Sequence, residues 1–321
     1  MKKTGGIILF LILAMCSKLS AQSDNRISNF NSFWENTYYI NPAAINTGYE
    51  GVFSMAARHQ WTGFDGAPKS ALATVARFFE PKQMQLGARV FTEKIGYTGQ
   101  TSVAISYAYN VKFDYYWELR FGMAASYHNQ YYDVSKISVQ DYDDPLINSL
   151  KQVSQYHHYL NADFGVELMS KDVKLGASLK NLTGLFGVDK KIDFLKTDDL
   201  AFLSNVNYLY GMYRKHTGKI TDMTIGAGLI HSGKRLQGEA NMSFYFRLKE
   251  NGDNFMQIGA FYRSVNEVGA LVGIDLPDDW SAWRVLYSYD YNFSRISTSA
   301  WGTHEITLVY KWKKNPCVTC W

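Results

Sequence analysis

The chain has 321 residues, 46% hydrophobic and 16% aromatic, with 33 Lys and Arg against 29 Asp and Glu. Charge this evenly balanced offers no concentrated basic footprint, so no nucleic-acid partner is expected. Three cysteines in so long a chain exclude a fold held by disulfides.

In chain order, Lys2 and Lys3 come first, then an apolar run from Gly6 to Met15, then Leu19-Ser20-Ala21 ending in a small residue. That layout predicts a secretory signal peptide over residues 1–21, and hence export. Cys16 invites a lipoprotein reading, but the bulky Met15 before it argues against one. Residues 22–49 form an N-terminal segment with Trp34, Tyr38, Tyr39 and Ile40. It is too aromatic for a free tail and long enough to enter a lumen. No later apolar run reaches the ~18 residues of a transmembrane helix. The 23 Tyr, 19 Phe and 8 Trp suit a membrane barrel, whose strands face lipid on one side and carry aromatic girdles at both rims.

From Gly51 onward the dominant period is two. In Val103-Ala104-Ile105-Ser106-Tyr107-Ala108-Tyr109, large apolar side chains alternate with small or polar ones. Val103, Ile105, Tyr107, Phe121 and Met123 are predicted to face lipid, and Ala104, Ser106 and Gly122 the lumen. The pattern predicts an all-β, transmembrane antiparallel β-barrel of about fourteen strands. They fall near 50–60, 69–79, 84–94, 99–111, 115–129, 157–169, 172–181, 202–214, 219–231, 234–249, 253–263, 266–276, 280–292 and 301–313. Connections after even strands are short, and every long one, near 130–156, 182–201 and 293–300, follows an odd strand. One end with tight turns and one with long loops is the periplasmic and outer sidedness of such barrels. The barrel domain is residues 50–313, both termini are expected in the periplasm, and residues 314–321 form a tail.

Residues 59–68, HQWTGFDGAP, fall in the first long-loop-side connection. Gly63 and Gly66 can take positive φ, and Pro68 keeps Ala67 extended. A phosphate loop is argued against, because Lys69-Ser70 lies off the P-loop spacing and no helix follows. Gly226-Ala227-Gly228 sits inside a strand and reads as a packing feature. His304-Glu305 is expected to be a lumen-facing or rim pair anchoring the last loop. Arg58, Asp163, Lys174 and Lys180 are expected to point inward, where they either line a permeation path or pair and hold the N-terminal segment. Cys317 and Cys320 have the spacing of a simple periplasmic disulfide, or are idle thiols; two cysteines lack the further ligands of a zinc site. No Ser/His/Asp set, metal site or cofactor motif emerges, so no cofactor, catalysis or small-molecule substrate is expected.

Several short motifs occur in a fixed order across residues 40–312. They are Asn41-Pro42-Ala43 after Ile40, then Arg58-His59-Gln60-Trp61 with Gly63, Phe64 and Gly66-Ala67-Pro68. Leu175-Gly176-Ala177-Ser178, Asn181-Leu182, Tyr287-Ser288-Tyr289-Asp290 and Gly302-Thr303-His304-Glu305-Ile306 follow. In these the chain resembles the PorP/SprF family of type IX secretion proteins, outer-membrane barrels of Bacteroidetes bacteria. It departs at Ala44, where a Tyr is common, and in the tail carrying Cys317 and Cys320. The resemblance implies a non-enzymatic component in contact with outer-membrane lipid. It implies partnership with other type IX components and with a secreted surface protein, such as an adhesin used in gliding. The alternative of another class is an outer-membrane channel or transporter for small or hydrophobic solutes.

Overall fold

A computed structural model describes residues 30–132, 156–182, 205–217, 221–232, 235–248, 255–294 and 300–314. Fourteen antiparallel strands close into one barrel in sequence order, with β1 pairing β14 to complete the ring. The strands are β1 (Tyr49–His59), β2 (Lys69–Phe79), β3 (Met84–Ile95), β4 (Thr98–Lys112), β5 (Glu118–Tyr132), β6 (Tyr156–Met169) and β7 (Val173–Lys180). They continue as β8 (Val206–His216), β9 (Thr221–Ser232), β10 (Arg235–Arg247), β11 (Phe255–Arg263), β12 (Glu267–Pro277), β13 (Ser281–Asn292) and β14 (Thr303–Lys314). Closure pairs every strand on both sides and leaves no open edge to recruit another chain. The barrel expected from the period-two pattern is the one found. The largest displacement of a strand start is at β8, which begins at Val206 rather than 202.

The alternation decides which side chain meets lipid. On β4, Val103, Ile105 and Tyr107 are exposed while Ala104 is buried. On β5, Phe121 and Met123 are exposed and Gly122 and Ala124 are buried. Register carries this pattern unbroken around the ring, since cross-strand partners such as Ile105 and Ala125 share a face. Among the described residues no helix is long and apolar enough to cross a membrane; the strands do so instead.

The lumen is not empty. Residues 30–48 run inside it as two short 3₁₀ turns, Asn31–Trp34 and Thr37–Tyr39, followed by irregular chain that leads into β1. Phe30, Phe33, Trp34, Tyr39 and Ile40 of this segment form one buried cluster with Ala56, Leu72, Phe91, Tyr208, Tyr210, Met212 and Ile230 of the wall. Phe30 makes edge-on ring contacts with Tyr39 at 5.5 Å and Phe91 at 6.3 Å between centroids. The apolar core of the molecule therefore lies between this plug and the inner wall.

Candidate functional site

The plug is held by side chains from nearly every sector of the barrel. Near its start, the Asn31 and Ser32 backbone N–H groups donate to Glu305 on β14 at 2.7 and 2.9 Å. The Asn31 amide donates to Ser288 Oγ at 2.9 Å and Asp290 Oδ1 at 3.0 Å on β13. Arg58 on β1 neutralises both acids, donating to Asp290 at 2.8 Å and Glu305 at 3.3 Å. All three charged groups are almost fully buried, and a buried charge persists only when paired and hydrogen-bonded.

Further along, Trp34 lies over Gly226 and Gly228, where a Cβ would fall 2.7 Å and 3.4 Å from its ring atoms. Its indole N–H donates to Glu239 at 2.5 Å, and Glu239 in turn accepts from the buried Arg263 at 2.7 Å. The Gly-Ala-Gly segment of β9 is thus a slot for an indole. Glu35 accepts from Tyr245 and Gln257, both at 2.7 Å, and pairs with Arg284, which also donates to Asp275 at 2.6 Å.

The Asn41-Pro42-Ala43 motif packs directly against the inner wall of the lumen. Asn41 is fully buried. Its amide donates to the Val166 carbonyl and to Tyr210 Oη, both at 3.1 Å, and its Oδ1 accepts from the Ala43 N–H at 2.9 Å. Glycines of the wall make the room. A Cβ on Gly165 would lie 1.9 Å from Asn41 Oδ1, and one on Gly122 would lie 2.3 Å from the Pro42 carbonyl carbon. Carbonyls of the plug are collected by inward cations: Tyr39 O by Arg89 at 2.7 Å and Lys180 at 3.2 Å, and Ile45 O by Arg120 at 2.8 Å. Ser178, from the Leu175–Ser178 motif, donates to Ile40 O at 2.8 Å.

Of the inward charges named from the sequence, Arg58 and Asp163 are ion-paired inside the lumen and Lys180 holds a plug carbonyl. Asp163 pairs with Arg89 at 3.1 Å, while Lys174 lines a residual cavity of about 120 Å³ beside Trp34, Glu35, Arg214, Arg284 and Lys311. Sequence reasoning missed Arg120, which donates to Glu118 at 2.7 Å and Glu167 at 3.0 Å with none of its surface exposed. It also missed Glu239–Arg263 and Glu35–Arg284. A charged residue at an inward-parity position of a membrane strand was the available signal for the strand members of these groups.

The remaining motif residues gather at the long-loop end. The connection 60–68 is closed by Gln60 N–H donating to Pro68 O at 2.9 Å, with positive φ at Trp61, Gly63 and Gly66. It is stitched across the β1–β14 seam: Thr62 N–H donates to Gly302 O, and Trp301 N–H to Thr62 O, both at 2.8 Å. Trp61 N–H donates to Thr303 Oγ1 at 3.3 Å, and Ala67 is buried beneath the loop. On the other flank Gly96 N–H donates to Gly66 O at 2.9 Å. The loop thus fastens the first strand to the last.

One expectation is corrected here. His304 and Glu305 are not a lumen-facing pair, because adjacent strand residues point to opposite faces. Glu305 points in and holds the plug, whereas His304 points out, its Nδ1 2.7 Å from Tyr287 Oη. Tyr287 is likewise exposed on the outer face and Tyr289 partly so, Tyr289 donating to Trp301 O at 2.9 Å, while Ser288 between them and Asp290 after them are buried inside. Cys317 and Cys320 lie outside the described residues.

This is the architecture of a transmembrane β-barrel whose lumen is occupied by its own N-terminal segment. Residues 21–310 match the family described as type IX secretion system membrane protein PorP/SprF, and the chain belongs to that family. No curated protein matches it. Among solved structures it is similar to the toluene transporter TbuX of Ralstonia pickettii, with TM-score 0.52 and 10% identity over 87% of this chain and 93% of that one. It is also similar to the ΔS2S3 mutant of the monoaromatic hydrocarbon channel TodX, with TM-score 0.51 and 12% identity over 88% and 94%. A Pseudomonas aeruginosa FadL homologue follows with TM-score 0.50 and 8% identity over 85% and 92%. At such identities the likeness is one of fold alone.

Proposed function

We propose that this type IX secretion membrane component sits in the outer membrane as a sealed barrel. Its work is to assist secretion or surface attachment of a partner protein, an adhesin of the kind used in gliding, through its long loops. The observation that carries this reading is the plug: residues 30–48 occupy the lumen and are anchored to β3, β5, β7, β10, β13 and β14 by hydrogen bonds, many of them charged. A lumen so occupied supports a role in protein contacts rather than solute passage. In this reading the long-loop end faces outward and both termini are periplasmic. The connections near 130–156 and 182–201 lie largely outside the described residues; of the tyrosines expected in the first, Tyr131 and Tyr132 end β5 and Tyr156 opens β6, and the sequence between them holds Tyr142 beside Asp141, Asp143 and Asp144. Tyrosine provides large contact area at small entropic cost and is enriched at interface hot spots.

A second reading, passage of a small or hydrophobic solute, is favoured by fold neighbours described as transporters of toluene and monoaromatic hydrocarbons. Two measurements separate them. Planar-bilayer recordings of the intact chain should show little conductance, and deletion of residues 22–40 should raise it. Replacing Tyr131, Tyr132 and Tyr142 together with Ser should leave the barrel heat-modifiable on gels yet impair surface display of a type IX cargo. Normal display combined with lost uptake of an aromatic solute would replace the first reading with the second.

A further inference from the structure

Four basic side chains lie side by side on the outside of the barrel at its long-loop end. The register pairs His304 with His59, His59 with Lys69, and Lys69 with Lys94, across β14, β1, β2 and β3. Each is next in sequence to a buried lumen residue, Glu305, Arg58, Ser70 and Glu93 respectively, so all four project outward. Lys69 and Lys94 are exposed, and the two imidazoles are partly so.

Directly opposed residues on an antiparallel pair stand about 4.5–5.5 Å apart at Cβ, and like charges there oppose pairing. The acids of this sector do not relieve the repulsion. Glu93 is turned inward, accepting from Ser70 at 2.8 Å and Gln100 at 2.7 Å, and Glu305 and Asp290 are taken by Arg58. Asp65 in the connecting loop is exposed and makes no ion pair among the described residues. The row is also held in place, because the loop 60–68 is bonded to β14 on one flank and to Gly96 on the other.

What lies beneath the row identifies its counter-ion. Moving toward the barrel's middle, the outward positions become Ala57, Ala71 and Thr92, then Met55, Ala73 and Val90 about 13 Å away over four residues, with the exposed Val75 two residues further. Tyr287, Tyr289 and the strongly exposed Trp301 flank it as an aromatic girdle. An anion at this height therefore stands where the apolar band ends, with hydrocarbon below it. We propose that the arc His304–His59–Lys69–Lys94 binds the phosphate group of a membrane lipid in the leaflet next to the long loops. Lys69 and Lys94 share the phosphate charge, and the imidazoles supply hydrogen bonds beside them.

The test uses the full chain in detergent micelles, titrated with bis-phosphorylated lipid A, with the same lipid after phosphatase treatment, and with inorganic phosphate, and read by native mass spectrometry. The phosphorylated lipid should bind at least ~10-fold more tightly than the dephosphorylated one. The double variant Lys69→Gln/Lys94→Gln should lose roughly 25-fold, about fivefold for each lysine near an anionic surface. Lys69→Arg/Lys94→Arg should retain binding, which keeps the test decisive if the glutamine variant folds poorly. Lys112→Gln, at the opposite end of β4, should bind as the unaltered chain does. Equal binding of the two lipids, unchanged binding by the glutamine variant, loss in the arginine variant, or an equal loss in Lys112→Gln would each overturn the proposal. Inorganic phosphate competing at concentrations matched to the lipid would overturn it too, by showing a free-anion site.

Discussion

The two faces of one strand wall obey different rules. On β5, the outward Phe121, Met123 and Tyr127 need only be apolar or amphipathic, because fluid lipid chains conform to any shape they present. The inward Arg120 and Gly122 meet a fixed partner, the plug, and Ala124 and Ser126 are buried on the same face. Arg120 reaches two carboxylates and a plug carbonyl; Gly122 leaves room for Pro42. The outer face thus tolerates change that keeps its hydropathy, and the inner face tolerates change that keeps its geometry and charge.

Three tests would break or sharpen that contrast. The largest effect is expected inside, for Arg120→Met, which leaves Glu118 and Glu167 buried without their cation. Removing one partner of a buried ion pair costs about 3–5 kcal/mol, measurable as a lowered urea midpoint for micelle-refolded protein. A cost below ~1 kcal/mol would mean that the lumen is wet enough to screen these charges, and the contrast would fail. Next comes Ile105→Arg on the lipid face, expected to cost about 2–4 kcal/mol if the position lies near mid-membrane. A neutral outcome in bilayers would place this part of β4 at the headgroups instead. The smallest and sharpest comparison uses neighbours on β4. Ala104→Leu overfills the buried face at about 1–3 kcal/mol, whereas Val103→Leu stays within ~0.5 kcal/mol, as for a site without fixed neighbours. Equal costs for the two would show that the plug does not press on this strand.

Much of the wall was legible because lipid imposes a one-residue rule. Val103, Ile105 and Tyr107 announce their face by hydropathy alone, and the strand boundaries follow where alternation stops. Gly63 and Gly66 could be assigned to a turn because positive φ is a local property, and both adopt it. His304 was misjudged with Glu305 because they were treated as a unit, although a strand sends neighbours to opposite faces. Glu35 and Arg284 could not have been matched, being separated by 249 positions and by a chain path that only the closed ring brings together.

The sequence by itself determined that this chain crosses a membrane as strands, how many there are, and which family its ordered motifs belong to. Those properties reside in period, composition and short words of sequence, each readable within about ten residues. Only the tertiary structure decided that Asn41-Pro42-Ala43 seats on Gly122 and Gly165, that Glu305 and Asp290 converge with Arg58 on Asn31, and that His304, His59, Lys69 and Lys94 form one row. Such contacts depend on barrel closure and strand register, which are set jointly by all fourteen strands and the segment they enclose, so no local stretch contains them.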